Sequence, residues 1–335
     1  AFSRCRRRGR PDLRHAAPCE HCPGNAARSG RSACAPTHRE SMRRTCACMA
    51  ALATSARGAN ASAGAGALAR ARALVPPSVV ATSHGDTEGI DFWEEHASLL
   101  EAARVEYGPL DASVYAPGEG DVLGPDGWNV EGTDVPGVYA VRVVSERFLE
   151  KLGAELAHLR ASGIPLRRPN GMNRHGCILS HLGFEAAIEK ICAKALRPLG
   201  LRLFPHALRP SDVGHSYAFS VRYEPERDDG DVDLSEHADG AALTMNLCLS
   251  NCASAGGDLL FRGVRFHEKD ADDAPVRRVK QTPGVALVHL GQHLHAAAPT
   301  TNGTRENLII WAHGEHGYVR IAPYNADGSD GRPFY

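Results

Sequence analysis

His237 and Asp239 stand two residues apart in the run SEHADG, and residues two apart on extended backbone project from the same face. One imidazole and one carboxylate placed that way can share a divalent metal ion. A second imidazole from far along the chain would complete a two-His, one-carboxylate set. That set occupies one side of the ion and leaves positions open to a co-substrate and O2, the donor pattern of non-haem Fe(II) centres.

Three histidines compete for the second imidazole, His289, His293 and His295, all within LVHLGQHLHAAAPTTNGTR. Arg305 follows His295 by ten residues, with Pro299 and Gly303 between them. The interval predicts that one strand supplies the ligand and its hairpin partner supplies a cation deeper in the same pocket. On that ground His295 is the expected ligand, and His289 and His293 are expected to support or pack. Arg suits the deeper position because its planar fork grips a carboxylate bidentately and stays charged when buried, as the distal carboxylate of 2-oxoglutarate would require. Alone, the His-x-Asp would read as a solvated loop and the Arg as half of a structural ion pair. With Gly256-Gly257-Asp258-Leu259-Leu260-Phe261 lying between them, the residues read together as one site.

The elements that must position these residues follow from pattern. Residues 91–107 (DFWEEHASLLEAARVEY) carry Phe92, Trp93, Leu99, Leu100 and Ala103 at helical spacing ahead of Pro109. Residues 118–137, rich in Gly, Pro and Asp, read as loop. Ser145 caps a predicted helix to about Ala161 with an apolar stripe of Phe148, Leu149, Leu152, Leu156 and Leu159. A further helix is expected over 183–199, and RRPNGMNRHGCIL (167–179) is a polar, turn-prone connection. Beyond Phe204 the period shortens to strand-like runs at 217–223, 243–249, 258–261, 285–290 and 307–312. Helices followed by short strands predict an α+β unit: a double-stranded β-helix, or jelly roll, with N-terminal supporting helices.

Charge divides the 335-residue chain, whose net of −1 conceals unlike parts. Fourteen Arg, no Lys and three acidic residues precede Asp86. Such an Arg-, Ala- and Ser-rich segment buries too little apolar surface to offset the entropy of ordering it, so residues 1–85 are expected to be largely disordered. From Met42 the composition is that of an organellar transit peptide or of a low-complexity tail, and both readings stay open. The Cys19-x-x-Cys22 pair has no second ligand pair at zinc spacing and reads as incidental. No apolar run reaches the ~20 residues that span a bilayer, which predicts a soluble protein, cytoplasmic or organellar if the leader is genuine. The expected organisation is therefore 1–85 transit-like or low-complexity, 86–204 helical support, 205–315 jelly-roll core and 316–335 C-terminal tail.

The segments YAFSVRYEP, HAD, LTMNLCLS, GGDLLF and PGVALVHLGQHLHAAAPTTNGTR resemble the Fe(II)/2-oxoglutarate dioxygenase domain of the prolyl and lysyl hydroxylase superfamily. RPNGMN, LTMNLCL, GQHLHAAAP and RENLIIW are more similar still to the family called 2-oxoglutarate and iron-dependent oxygenase domain-containing protein 2, over roughly residues 166–312. The resemblance implies His237, Asp239 and His295 as iron ligands and Arg305 as the anchor of 2-oxoglutarate. It adds Tyr223 and Asn246 as further co-substrate contacts, which could equally be a strand aromatic and a ladder-side polar residue. It implies O2 as oxidant, ascorbate as reductant, and hydroxylation of a substrate C–H with release of succinate and CO2. A peptidyl side chain such as lysine is the implied substrate and no nucleic-acid partner is expected. The run from Glu224 to Glu236 is longer than usual for the family, which bears on Tyr223 and the entrance. A non-catalytic jelly-roll module and a metal-dependent hydrolase or isomerase are the rival readings.

Overall fold

The computed structural model describes residues 66–75, 92–249, 256–265 and 271–315, with a short strand pair at 318–319 and 332–333. The helices are α1 (Ala67–Arg72), α2 (Phe92–Glu95), α3 (Ala97–Tyr107), α4 (Glu146–Ser162), α5 (Glu185–Ile191) and α6 (Arg197–Leu203). The strands are β1 (Val130–Gly132), β2 (Val138–Val141), β3 (Gly176–Ile178), β4 (His215–Tyr223), β5 (Leu234–His237), β6 (Leu243–Cys248), β7 (Leu259–Val264), β8 (Arg277–Val279), β9 (Ala286–Leu290), β10 (His293–Ala297), β11 (Arg305–His313), β12 (Tyr318–Val319) and β13 (Arg332–Pro333).

Helix α4 forms where capping and periodicity agree. The Ser145 side chain accepts from the Phe148 amide at 3.2 Å, and Gly163 ends the helix at φ 75°, a left-handed conformation that a residue without Cβ adopts freely. Phe148, Leu152, Leu156 and Leu159 are buried on one stripe. Glu155 shares that stripe and is fully buried. Its carboxylate accepts from the Tyr107 hydroxyl, the Tyr115 hydroxyl at 2.8 Å, and the amides of Leu110 at 2.8 Å and Asp111 at 3.3 Å. A buried carboxyl group is tolerated only with such a shell of partners, and here it ties the end of α3 and the following turn onto α4.

Two antiparallel sheets carry the site. The larger has the order β1-β2-β9-β6-β11-β4-β3 and the smaller β5-β10-β7-β8. Alternation along each strand of the larger sheet sorts residues between two cores. Leu243, Met245, Leu247, Leu308, Ile310 and Ala312 pack on the helices with Phe148, Leu156, Ile191 and Leu199. Phe219, Val221, Tyr223, Leu287 and Ile309 pack instead against Leu259, Phe261, Val279 and Ala297 of the smaller sheet. Strand β11 is buried on both faces, which is why its sequence reads as a near-continuous apolar run. This is the expected jelly roll with helical support.

Several expectations need correction. His295 and Arg305 are not on hairpin partners: β10 pairs with β5 and β7, whereas β11 pairs with β4 and β6. The chain between them crosses from one sheet to the other, so ligand and cation approach the pocket from opposite walls. The core does not begin at 205, because β1, β2 and β3 of the larger sheet lie within 86–204. Those strands have only three or four residues each, too few for a legible alternation. The helix expected over 91–107 is interrupted at His96, whose φ −100° and ψ 6° fall in the bridge region. The helix expected to end at 199 runs on to Leu203 through a wide turn at Cys192–Leu196. Pro198 would collide with the preceding turn and cannot donate to it, and the wider turn relieves that conflict. Within the segment expected to be largely disordered, α1 is an exception, with Ala71 buried against Ala103 and Ile164. Apart from residues 66–75, the segment 1–85 lies outside the described residues, including the Cys19-x-x-Cys22 pair and all but ten residues of the transit-like stretch. So does most of the 316–335 tail.

Candidate metal centre and its cavity

His237 ends β5 and faces His295 of β10 across the ladder. Asp239 lies two residues past the end of β5, so the His-x-Asp pair sits where that strand ends. Its amide donates to Gly291 O at 2.8 Å, and Gln292 Nε2 donates to its carbonyl at 3.0 Å, which ties the turn to the connection between β9 and β10. The result brings three donors together: His237 Nε2 is 3.5 Å from Asp239 Oδ1, and His295 Nε2 is 3.7 Å from Asp239 Oδ2. One donor atom from each of the three residues lies within 4.8 Å of the others, and among the described residues this is the group able to hold a metal ion.

Each imidazole is oriented by its other nitrogen. His237 Nδ1 meets Ser235 O and His295 Nδ1 meets His293 O, both at 2.8 Å. A carbonyl accepts, so Nδ1 carries the hydrogen and Nε2 is the nitrogen turned to Asp239 and available to a metal ion. Thr244 Oγ1 donates to Asp239 Oδ2 at 2.6 Å, turning the carboxylate. Burial lowers the His295 pKa to about 4, which keeps that ring neutral and able to ligate. Burial works to raise the Asp239 pKa, but the two imidazoles beside it outweigh burial and hold the group ionised. Burial likewise opposes protonation of His237, but its contact with Asp239 and the Ser235 carbonyl raise its pKa. This donor chemistry fits a divalent first-row ion.

His289 and His293 lie beside the group without joining it. His289 packs edge-on to His295 at 4.8 Å between ring centres, its Nδ1 2.8 Å from Leu290 O. Burial drops its pKa to about 3. His293 sits over Phe261 with Nε2 3.4 Å from Arg262 O.

The cavity that begins at His237, Asp239 and His295 is lined further in by Thr244, Asn246, Tyr223 and Arg305. Arg305 is 1 % exposed, and its guanidinium carbon lies 4.7 Å from the centre of the Tyr223 ring. Its Nε donates to Asn307 Oδ1 at 2.9 Å, while its buried Nη1 has no hydrogen-bond partner among the described residues. A buried cation with an unmatched N–H is costly unless an anion meets it, and that fits a carboxylate ligand in this cavity. Gly257 makes room: at φ 76°, a Cβ there would stand 3.0 Å from both Arg305 Cδ and Thr300 Oγ1.

Asn246 and Tyr223 both reach the cavity. Asn246 Oδ1 accepts from Asn307 Nδ2 at 2.6 Å, and the same Nδ2 donates to Gln281 Oε1 at 3.0 Å. The sequence reading missed Asn307, Gln281, Thr244 and the wall residues Asn170 and Asn173. Arg305-x-Asn307 and Thr244-x-Asn246 carry a usable signal, since polar residues two apart on apolar strands share a face. Asn170 and Asn173 come from the turn-prone 167–179 connection, whose distance in sequence hides its place at the pocket.

Fold and donor set together define a candidate metal centre in a jelly roll, with a cationic pocket behind it. Residues 128–209 match the OGFOD2-like domain, a segment that includes Asn170 and Asn173 and ends before His237. The chain is 35% identical over 183 residues to the Arabidopsis thaliana 2-oxoglutarate and iron-dependent oxygenase domain-containing protein ICU11, covering 52% of this chain and 45% of that one. It is 35% identical over 175 residues to the Xenopus tropicalis 2-oxoglutarate and iron-dependent oxygenase domain-containing protein 2, covering 52% and 48%. The chain thus spans about half the length of these curated relatives. Similar solved structures include a Pseudomonas putida prolyl-4-hydroxylase, at TM-score 0.35 and 17% identity over 53% of this chain and 89% of that one. Another is the non-heme alpha ketoglutarate dependent epimerase SnoN, at TM-score 0.41 and 17% identity over 59% and 90%. Among the described residues no helix is long and apolar enough to cross a membrane.

Proposed function

We propose that the chain is an Fe(II)- and 2-oxoglutarate-dependent oxygenase that hydroxylates a C–H bond, with a peptidyl side chain such as lysine as the favoured substrate class. The observation that carries this reading is the unmatched Nη1 of buried Arg305 in the same cavity as His237, Asp239 and His295. A hydrolase on this donor set needs only the metal and a water, whereas a chelating keto acid also needs a partner for its far carboxylate. The names of the relatives point the same way.

His237, Asp239 and His295 would hold the iron, which when bound supplies O2 activation coupled to decarboxylation of the keto acid to succinate and CO2. The chain's own work is binding, orientation and exclusion of water. Thr244 fixes the carboxylate of Asp239, and the backbone carbonyls of Ser235 and His293 fix the two rings. Arg305 would pair with the distal carboxylate of 2-oxoglutarate, beside Tyr223 and Asn246. Phe219, Val221, Leu259 and Ile309 form the apolar walls, which keep water from competing with those contacts.

Anaerobic titration with Fe(II) and then 2-oxoglutarate tests the reading. The expected result is a weak visible charge-transfer band that appears only when both are present, followed by succinate release on admitting air. Metal binding without a band, together with hydrolysis of an ester or amide, would favour the hydrolase.

A further inference from the structure

The turn at Asn170–Asn173 sets the direction in which the Tyr223 hydroxyl points its proton, and the inference rests on the oxygenase reading above. Two backbone amides begin the chain of contacts: Met172 N and Asn173 N donate to Asn170 Oδ1 at 2.8 and 2.7 Å. A backbone N–H can only donate, so this end of the Asn170 carboxamide is the oxygen. Its other end must be Nδ2, which donates to Asn173 Oδ1 at 3.1 Å. That in turn leaves Asn173 Nδ2 facing Tyr223, to whose hydroxyl oxygen it donates at 3.3 Å.

Tyr223 is therefore an acceptor toward the protein. Its own proton finds no acceptor among the described residues, and the side chain lines the cavity beside Arg305. Burial raises its pKa, so the phenol keeps that proton. Asn173 is 1 % exposed and cannot exchange its partners for water. The turn itself is braced, because Arg168 donates to Asn173 O at 2.6 Å and to Gly171 O at 2.8 Å. Tyr217 adds a hydrogen bond to Pro169 O at 2.8 Å.

We infer that Asn170 and Asn173 are positioning residues for the keto acid: they commit the Tyr223 hydroxyl to donate into the cavity, where it and Arg305 Nη1 converge on one carboxylate. The co-substrate pocket thus includes a wall supplied from outside the jelly-roll strands. An acceptor in place of Asn173 Nδ2 would draw the phenol proton to itself and leave two oxygen lone pairs facing an anion.

The test is Asn170→Asp, which keeps the acceptor for both backbone amides but removes the Nδ2 donor. The Asn173 carboxamide should then flip to donate toward residue 170 and present its oxygen to Tyr223. Asn170 is only half-buried, so the variant is expected to fold. Calorimetric titration of 2-oxoglutarate into Mn(II)-loaded protein under nitrogen should show Kd weakened roughly tenfold, as for loss of one hydrogen bond to a charged group. Mn(II) affinity should be unchanged. Tyr223→Phe should weaken the keto acid by a similar factor, and Asn170→Asp in that background should add less than about twofold, since the coupled pair acts as one unit. Asn173→Leu, which can neither donate nor accept, should weaken the keto acid less than Asn170→Asp, because the phenol proton can still turn to the carboxylate.

Unchanged Kd in Asn170→Asp would overturn the assignment. So would an equal loss in the Tyr223→Phe background, because charge repulsion or a general loosening does not require the phenol. If the wild-type protein binds Mn(II) but no keto acid at any concentration, the oxygenase reading itself falls, and this assignment with it.

Discussion

Arg305 and Tyr223 lie directly opposite each other in the register of β11 and β4, and the guanidinium rests over the phenol ring at 4.7 Å. The ring covers one face of the cation and Asn307 holds its Nε, while buried Nη1 is left for a ligand. Arg305→Leu should weaken 2-oxoglutarate by roughly two orders of magnitude or more, the expected cost of leaving a buried carboxylate unpaired. Metal affinity should change little, because none of the three donors touches Arg305. Titrating keto acid and metal separately checks both halves.

The crossing of the chain from one sheet to the other between His295 and Arg305 yields a prediction about neighbouring histidines. His237→Ala, Asp239→Ala and His295→Ala should each yield protein that retains little iron after gel filtration, read by elemental analysis. His289→Ala and His293→Ala should keep near-stoichiometric iron while losing on the order of 1–3 kcal/mol of stability, since each empties buried volume. If His293→Ala lost the metal and His295→Ala kept it, the register of β10 against β5 would be misassigned.

Glu155 is a structural hub with no path to the site. Glu155→Leu leaves two hydroxyls and two amides without their acceptor, for an expected loss of about 2–4 kcal/mol in denaturant unfolding. The keto-acid affinity of the folded fraction should stay as in the wild type.

Removal of residues 1–65 should leave stability and co-substrate binding unchanged. Removal of 1–75 also deletes α1, whose Leu68 amide donates to Glu106 at 2.8 Å and whose Arg72 donates to Ser162 O at 2.6 Å. Exposing Ala103 and Ile164 should then cost about 1–2 kcal/mol, visible as a lower melting temperature. Equal melting temperatures for the two truncations would show that α1 contributes nothing.

What could be read without coordinates is what neighbours in sequence decide. Helix α4 is legible because its cap at Ser145, its stripe and its Gly163 stop all act within a few residues of one another. Strands β4, β6, β9 and β11 are legible because each is an apolar, β-branched or aromatic run bounded by turn residues. The pairing of His237 with Asp239 is legible for the same local reason, and the interval from His295 to Arg305 singled out one histidine of three.

Everything decided by which strands meet stayed hidden. Spacing suggested a hairpin between His295 and Arg305, yet the two strands lie in different sheets, because a turn and a crossover use the same Pro and Gly residues and only distant partners choose between them. Strands β1, β2 and β3 are short enough that pairing with β9 and β4, not their own sequence, makes them strands. The wall formed by Asn170 and Asn173 is the furthest from view. Those residues precede Tyr223 by some fifty positions, and their contact with it exists only because β3 adds to the edge of β4, carrying the turn before it to the cavity.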